Sequence, residues 1–578
     1  MKNILKFSFP VVACLLLPVL LHAYPPTIIA ELDKRLYFSS FVLVVLISFF
    51  YKNFENSNEN IEKRLIELTN KLPDIVYYFI FLMFTLITQN YLLNYETLSW
   101  DIPTYLVATY DIAEGNLPYT TQWETKGPLL VYIYYFLSIL SGKTYIIFRI
   151  LNDFILFFIS VILFKLAKVV SKNEKITAFS SSFLFLTIFG MRWYISEFSE
   201  LYCLVFLSLS SLLLLSTPKI ELNKLFIVSF LISLSALINQ VAIIFIFPVL
   251  IFLYFEKRLN TKVLFYLFIG GAVPQAFFAL LYMINNQFDI YFFNYFILPF
   301  TYVGGTGVEK NLLYEFTVWL RELFNYQNFL YFSIFSTVCF NLFQVFKYKV
   351  SSTSNLNLFL YVNALFAFTI YFLGGWGFAH HLFYFVFFFS LLVACINNKK
   401  SKVLIYSFVV ISGLSVFIQT YETSTYNLRN FESLQENYPL YKLSSEIDSY
   451  YDDYEDYEIF ALEYVLVLYY LEKPNFSYII HPTNHFQEYI TKTLIEFKKI
   501  ELDNVNNLLQ KNPDVILCNP ERIHMGKVLE NEYFSCNYED YAEKYLKLDT
   551  KTYREDKNIE YYYDKYKKLN VFLKNKSS

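Results

Sequence analysis

Long apolar runs alternate with short polar connections along most of this chain, which is the pattern of a polytopic helical membrane protein. Apolar runs of roughly 15–22 residues fall at Phe7–Tyr24, Tyr37–Tyr51, Asp74–Asn94, Ile146–Leu166, Thr177–Gly190, Glu200–Ser216, Asn223–Asn239, Val241–Phe255, Val263–Ile284, Tyr326–Phe346, Leu358–Leu373, His381–Ile396 and Val403–Thr420. They predict about thirteen spans. The two runs meeting at Asn239 and Gln240 also read as one broken element. Pro128–Leu140 is apolar too, yet as a helix it reaches only about 20 Å, too short for a core of about 30 Å. It is expected to lie in the membrane interface, with Tyr132, Tyr134 and Tyr135 at the boundary.

The alternation makes a claim about sidedness that lysine and arginine test, because cytoplasmic loops collect them. Lys2, Lys6, Lys52, Lys63, Arg64, Lys71, Lys165, Lys168, Lys172 and Lys175 fall on one side, with Lys219, Lys224, Lys257, Arg258, Lys262, Lys347, Lys349, Lys399, Lys400 and Lys402. The opposite loops hold few basic residues, among them Lys34, Arg35, Lys126, Lys143, Arg192, Lys310 and Arg321. The N-terminus is therefore expected inside, and Asp101, Glu197, His380 and everything after Thr420 outside. Met1–Ala23 reads as an uncleaved first span, since no small-x-small cleavage signal precedes Tyr24 and a second apolar run follows.

After Thr420 the chain turns charged and tyrosine-rich, with an acidic run at Asp452–Asp456. Tyr457–Leu462, Phe476–His481 and Asp514–Cys518 read as strands, Phe486–Leu509 as largely helix, and Lys568–Ser578 as a frayed tail. The expected fold class is an all-α polytopic membrane bundle with a small extracytoplasmic C-terminal α/β domain. Its parts are residues 1–73, two extra spans and a cytoplasmic linker; 74–420, the transmembrane core with an outer loop at 95–145; and 421–578, the outer domain.

Composition narrows the function classes. The chain is 56% hydrophobic, 21% aromatic and 17% charged, against about 25% charged for soluble domains. A net charge of -3 with no basic stripe leaves no case for a nucleic-acid partner. Of the six cysteines, Cys14, Cys203, Cys339 and Cys395 fall in spans, as small hydrophobes. Cys518 and Cys536 share the outer domain, where they are either free or bonded.

The polar chemistry concentrates behind the span Asp74–Asn94. Asp101 and Tyr105 are followed by Gly115-x-Leu117-Pro118-Tyr119, then by Glu124-x-Lys126-x-Pro128-Leu129, and later by Arg149. Further on stand Glu197 and Glu200, at i and i+3, and the segment Gly374-Gly375-Trp376-Gly377-Phe378-Ala379-His380-His381. The loop Thr301–Gly307 is rich in glycine but lacks the Gly-Lys-Ser/Thr end of a phosphate-binding P-loop.

In order and spacing these motifs resemble the first outer loop of GT-C glycosyltransferases, in particular the protein O-mannosyltransferase, aminoarabinose transferase and Rgt-type family. The motif covers about fifty residues, and the span pattern extends the likeness to nearly the whole chain. The resemblance implies a transferase that moves a sugar from a polyprenyl phosphate carrier to a hydroxyl on the outer face of a bacterial inner membrane. The partners are then the carrier-linked sugar, membrane lipid, and a glycolipid, glycan or protein acceptor. No soluble cofactor is expected.

By the same resemblance Asp101 is the catalytic base, which makes a hydroxyl a competent nucleophile. Lys126 holds the carrier phosphate as charge grows on it, and Glu124 pairs with it or orients it. Gly127 stands where the family has the first proline of its acid-x-Lys-Pro-Pro motif. Arg149, Arg192 and His380 are helpers toward phosphate, Tyr105 an orienting residue, and Glu200 or Glu197 a second carboxylate facing the cavity. Ile102 replaces the glutamate that often follows the aspartate, which favours members that work without a metal. The adjacent histidines are not expected to form a metal pair, because neighbours on a helix point apart.

Two other readings compete. An O-antigen polymerase or ligase would use a diphosphate-linked donor and carry more arginines in a large outer loop. A lipid or polysaccharide exporter would place ionisable groups near mid-membrane.

Overall fold

The computed structural model describes residues 58–190, 195–216, 221–304, 355–373, 379–395, 399–451, 456–501, 504–519, 536–537, 539, 541–548 and 569–575. The expected spans Phe7–Tyr24, Tyr37–Tyr51 and Tyr326–Phe346 lie outside the described residues, as do Arg192, Gly305–Gly307 and Gly374–Phe378.

Three described helices are long and apolar enough to cross a membrane: Asp74–Asn94, Tyr145–Val170 and Thr261–Ile284, of 21, 26 and 24 residues. Lys175–Phe189, Ser199–Leu215, Leu222–Ala236, Gln240–Phe255 and His380–Cys395 are shorter apolar helices packed among them. Pro128–Leu140 forms with the expected bounds, its proline in the first turn where no amide hydrogen is needed. Tyr134 on it is fully buried while Phe136, Ile139 and Leu140 stay exposed.

Local chemistry fixes the helix ends. Asp74, in the first turn of its helix, takes Lys168 at 2.6 Å and Lys175 at 3.0 Å, tying three helix ends together. Asn260 caps Thr261–Ile284 by accepting from the Val263 amide at 3.1 Å. The run across Asn239 and Gln240 is broken: Leu222–Ala236 ends, a 3-10 turn runs from Gln240 to Phe245, and Ile246–Phe255 follows.

The last long helix, Lys399–Arg429, passes beyond Thr420 and leads into a region with a four-stranded sheet. Its strands are β1 (Ile459–Ala461), β2 (Val515–Cys518), β3 (Tyr545–Lys547) and β4 (Asn570–Lys574), in the order β1-β2-β4-β3. β1 and β2 run parallel, while β4 is antiparallel to both β2 and β3. Cys518 and Cys536 are bonded beside it.

Two expectations are corrected here. Phe476–His481 is not a strand of the sheet; Ile479 instead makes an isolated parallel bridge to Trp123. The expected tail contains β4, whose Val571, Phe572 and Leu573 are buried against β2 and β3. Three apolar residues so near a chain end read as fraying until their partner strand is known.

The C-terminal region is joined closely to the segment 91–127. Gln122 and Asn475 exchange side-chain to backbone hydrogen bonds at 3.0 and 2.9 Å, and the Trp123 amide donates to the Tyr478 carbonyl at 2.7 Å. The Tyr478 hydroxyl donates to the Tyr119 carbonyl at 3.0 Å. Glu96 accepts from the amides of Leu440 and Tyr441 at 2.9 and 3.0 Å, placing a carboxylate at the N-terminus of the helix Pro439–Tyr450.

Candidate active site

Asp101 opens the helix Asp101–Ala108, in which Ile102, Thr104 and Tyr105 are buried. Pro103 is tolerated so early because first-turn amides have no partner within the helix. The Asp101 carboxylate does not cap this helix. His481 Nε2 stands 3.0 Å from Oδ1, and His380 Nε2 stands 3.8 Å from Oδ2. Burial pushes the carboxyl up, but the His481 hydrogen bond and the charges of His481, His380 and Lys126 outweigh it and hold Asp101 well below the usual carboxylate range.

Lys126 follows Glu124 and Thr125 on a tightly held turn. The Tyr119 hydroxyl donates to the Lys126 carbonyl, and the Gly127 amide donates to the Ile238 carbonyl at 2.9 Å. Gly127 is there for space: a Cβ would lie 2.1 Å from the Leu237 carbonyl oxygen. The broken helix at 237–240 thus forms one wall of the site. Lys126 Nζ lies 3.5 Å from Glu200 Oε1, with side-chain exposures of 15% and 0%. Burial lowers the Lys126 ammonium pKa, but Glu200, Asp101 and Glu124 more than offset this and keep it charged. Glu200 also accepts from Asn239 Nδ2 at 3.0 Å and from the Ser199 hydroxyl at 3.0 Å.

Glu124 does not make the ion pair with Lys126. Its Oε1 accepts from the Thr125 amide and hydroxyl, both at 2.7 Å. Its Oε2 is buried with no hydrogen-bond partner among the described residues. Tyr105 packs edge-on against Tyr134, and burial beside the Asp101, Glu124 and Glu200 carboxylates keeps its phenol protonated. His380 stacks on Phe198 at 4.4 Å.

Arg149 and Glu197 hold different positions from those the motif suggested. Arg149 Nε donates to Glu197 Oε1 at 2.6 Å, and its other nitrogens donate to the carbonyls of Tyr95 at 2.7 Å and Leu92 at 3.2 Å. Both side chains are at most 5% exposed. The expected i, i+3 face of Glu197 and Glu200 fails because the helix starts at Ser199 and Phe198 is extended, so Glu197 precedes the helix. This pair fastens the turn Tyr91–Asn94 to the helix Tyr145–Val170.

Glu200, His380 and His381 bring ligand atoms within 4.8 Å of one another. The two histidines sit in the 3-10 turn Ala379–Leu382, and both reach the Glu200 carboxylate although they are neighbours in the chain. The Lys126 ammonium is already beside Glu200, so a metal ion held by this set would meet a like charge.

His481, which in the sequence reads as a loop residue after a strand, reaches the site with Thr483 and Asn239. Asp101 and His481 are 380 residues apart, a separation that no local spacing signals. Asn239 was legible only as the place where an apolar run breaks. A cleft beside the site is lined by Trp100, Pro103, Glu463, Tyr464 and Pro482. Two of these, Trp100 and Pro482, are chain neighbours of Asp101 and His481.

No family model matches this chain, and no curated protein matches it by sequence. Among solved structures, it is similar to ArnT from Cupriavidus metallidurans bound to undecaprenyl phosphate. The TM-score is 0.57 at 10% identity, covering 87% of this chain and 98% of that one. The apo state of the same protein superposes with a TM-score of 0.44 at 11% identity, covering 78% and 93%. At such identity the likeness is one of fold alone.

Proposed function

We propose that the chain is a glycosyltransferase that takes one sugar from a polyprenyl phosphate and delivers it to a hydroxyl of a glycolipid, glycan or protein outside the cytoplasm. The observation that carries the reading is the gathering of Asp101, Lys126, Glu200 and His380, in a fold similar to one crystallised with undecaprenyl phosphate.

In this reaction the acceptor oxygen bonds to the anomeric carbon while the bond from that carbon to the phosphate oxygen breaks. The phosphate leaves with the bonding pair, the hydroxyl proton passes to Asp101 Oδ2, and configuration inverts. A carboxylate held as low as Asp101 is a weak base in the ground state. It suffices because the hydroxyl becomes far more acidic as its oxygen bonds to carbon, so the proton moves late. Lys126 meets the charge growing on the leaving phosphate. It is suited to this because its one ion pair among the described residues, at 3.5 Å, leaves donors to spare.

Arg149 is not assigned to phosphate in this reading, since its nitrogens are taken by Glu197 and two backbone carbonyls. Glu124, with a buried oxygen that has no partner among the described residues, is suited to accept from a sugar hydroxyl or amine. A metal is not required by the step. The lysine asymmetry supports an outer position for the site and the C-terminal region, where a carrier-linked donor would present its sugar.

The test is transfer of radiolabelled sugar from polyprenyl phosphate donors by membranes carrying the wild type or Asp101→Asn. Transfer by the first and not the second is expected. Equal transfer by both would remove Asp101 from the chemistry. Turnover only with diphosphate-linked donors would favour a polymerase or ligase, and substrate export without any new bond an exporter.

A further inference from the structure

Asp101 is reached by a side chain of the C-terminal region. His481 Nε2 lies 3.0 Å from Asp101 Oδ1, and His481 Nδ1 lies 2.9 Å from the Thr483 hydroxyl. With Nε2 on the carboxylate and Nδ1 on the Thr483 hydroxyl, the imidazole has a partner on both sides. The Thr483 bond also fixes the ring plane, which is what an orienting histidine needs.

The backbone that carries His481 is held from several directions. Asn475 donates to the carbonyls of Ala461 at 3.0 Å and Ile479 at 3.1 Å, and Ile479 and Ile480 are fully buried. The Asn484 amide donates to the His481 carbonyl at 3.0 Å, and Pro482 is buried. The same stretch makes the Trp123 bridge and the Gln122 exchange, so His481 and the loop that carries Lys126 are anchored to each other. Neither side of the Asp101–His481 contact rests on a loose surface loop.

We infer that His481 is the positioning residue of the base: it holds Asp101 Oδ1 so that Oδ2 is presented to the acceptor hydroxyl, and the site is complete only when the C-terminal region is docked on the segment 91–127. The inference rests on the proposed transferase reading for its chemistry and on the Asp101–His481–Thr483 geometry for its structure. Such an arrangement makes transfer depend on a region that carries no part of the lipid-phosphate site. The small cleft that holds Trp100 and Pro482, the chain neighbours of this pair, is likewise lined from both regions.

The test uses the full chain in nanodiscs and a double-mutant cycle of wild type, His481→Ala, Asp101→Asn and the combination, with His481→Gln as the conservative variant. His481→Ala should lower kcat about 10–100-fold, the scale of a misplaced catalytic group, and leave polyprenyl phosphate affinity unchanged. The amide of His481→Gln can still donate to Oδ1 and should recover most of kcat. The combination should be no slower than Asp101→Asn alone, because His481 acts only through that carboxylate. Additive losses, or a near wild-type kcat in His481→Ala, would overturn the inference.

Failure of the transferase reading shows itself separately, as a wild type that transfers no sugar. The contact is then decided by labelling Asp101 with a water-soluble carbodiimide and glycine ethyl ester, which needs no donor. Several-fold more labelling in His481→Ala than in the wild type is expected; equal labelling overturns the inference. Similar thermal melting of the variants guards against loss of fold as the cause.

Discussion

Two buried ion pairs, whose carboxylates stand three residues apart at Glu197 and Glu200, have opposite characters. Arg149 and Glu197 meet at 2.6 Å, and the guanidinium is further bonded to two backbone carbonyls. Lys126 and Glu200 meet at 3.5 Å, and no backbone acceptor takes the remaining ammonium hydrogens among the described residues. A buried charge costs several kcal/mol unless paired and hydrogen-bonded. The first pair satisfies that demand internally and is a structural fastening. The second satisfies it in part, which is the condition of a site built for an anion that comes and goes. Residue type alone cannot separate the two; the count of satisfied donors does.

The largest effects should come from the incompletely satisfied half. Asp101→Asn keeps shape and removes the base, which is expected to cost about 10²–10⁴-fold in rate. Lys126→Ala removes an electrostatic donor and is expected to cost about 10²–10³-fold. They should part in binding: Asp101→Asn retains polyprenyl phosphate affinity, while Lys126→Ala weakens it. Titrating both variants with undecaprenyl phosphate separates the roles. Unchanged affinity in Lys126→Ala would make it a loop residue.

The satisfied pair should answer in stability instead. Arg149→Met strands the Glu197 carboxylate and leaves two carbonyls without their donor, so unfolding should become easier by about 3–5 kcal/mol. The combined Arg149→Met, Glu197→Leu chain should recover part of that loss, since two apolar groups leave no charge unpaired. Denaturant melts of purified protein compare them. A stable Arg149→Met chain with weakened donor binding would reverse the assignment and return Arg149 to the phosphate.

Between these extremes stands Gly127, whose packing couples the Lys126 turn to the broken helix. Gly127→Ala places a methyl 2.1 Å from the Leu237 oxygen, so the turn must shift. The strain should cost about 1–3 kcal/mol, and a displacement near 1 Å at Lys126 about 10²-fold in rate. A rate close to wild type would mean that the turn re-forms without moving its lysine.

How legible this was depended on range. Pro128–Leu140 was readable from length and polarity, and β2 from a buried apolar run. Glu197 and Glu200 were grouped wrongly because one extended residue, Phe198, interrupts the helix on which their spacing was counted. Asp153, inside the helix Tyr145–Val170, gave no periodic signal, yet it is buried and takes Ser196 at 2.8 Å and Asn90 at 3.0 Å. His481 and β4 depend on partners hundreds or tens of residues away and were invisible for that reason.

The smallest expected effect concerns the joint between the two regions. Glu96 offers both carboxylate oxygens to the first amides of the helix Pro439–Tyr450, where a negative charge also meets the positive end of the helix dipole. Glu96→Gln keeps one acceptor and removes the charge, so the joint should weaken by about 1 kcal/mol. The other bonds of the joint, from Gln122, Trp123 and Tyr478, remain, so the C-terminal region should stay attached. The change should appear as faster limited proteolysis near Tyr438 and amide exchange in 439–450, with transfer reduced only a few-fold. Proteolysis and exchange indistinguishable from wild type would show that the backbone bonds alone carry the docking. A collapse of transfer as deep as that of Asp101→Asn would show instead that the joint is far less redundant than its hydrogen bonds imply.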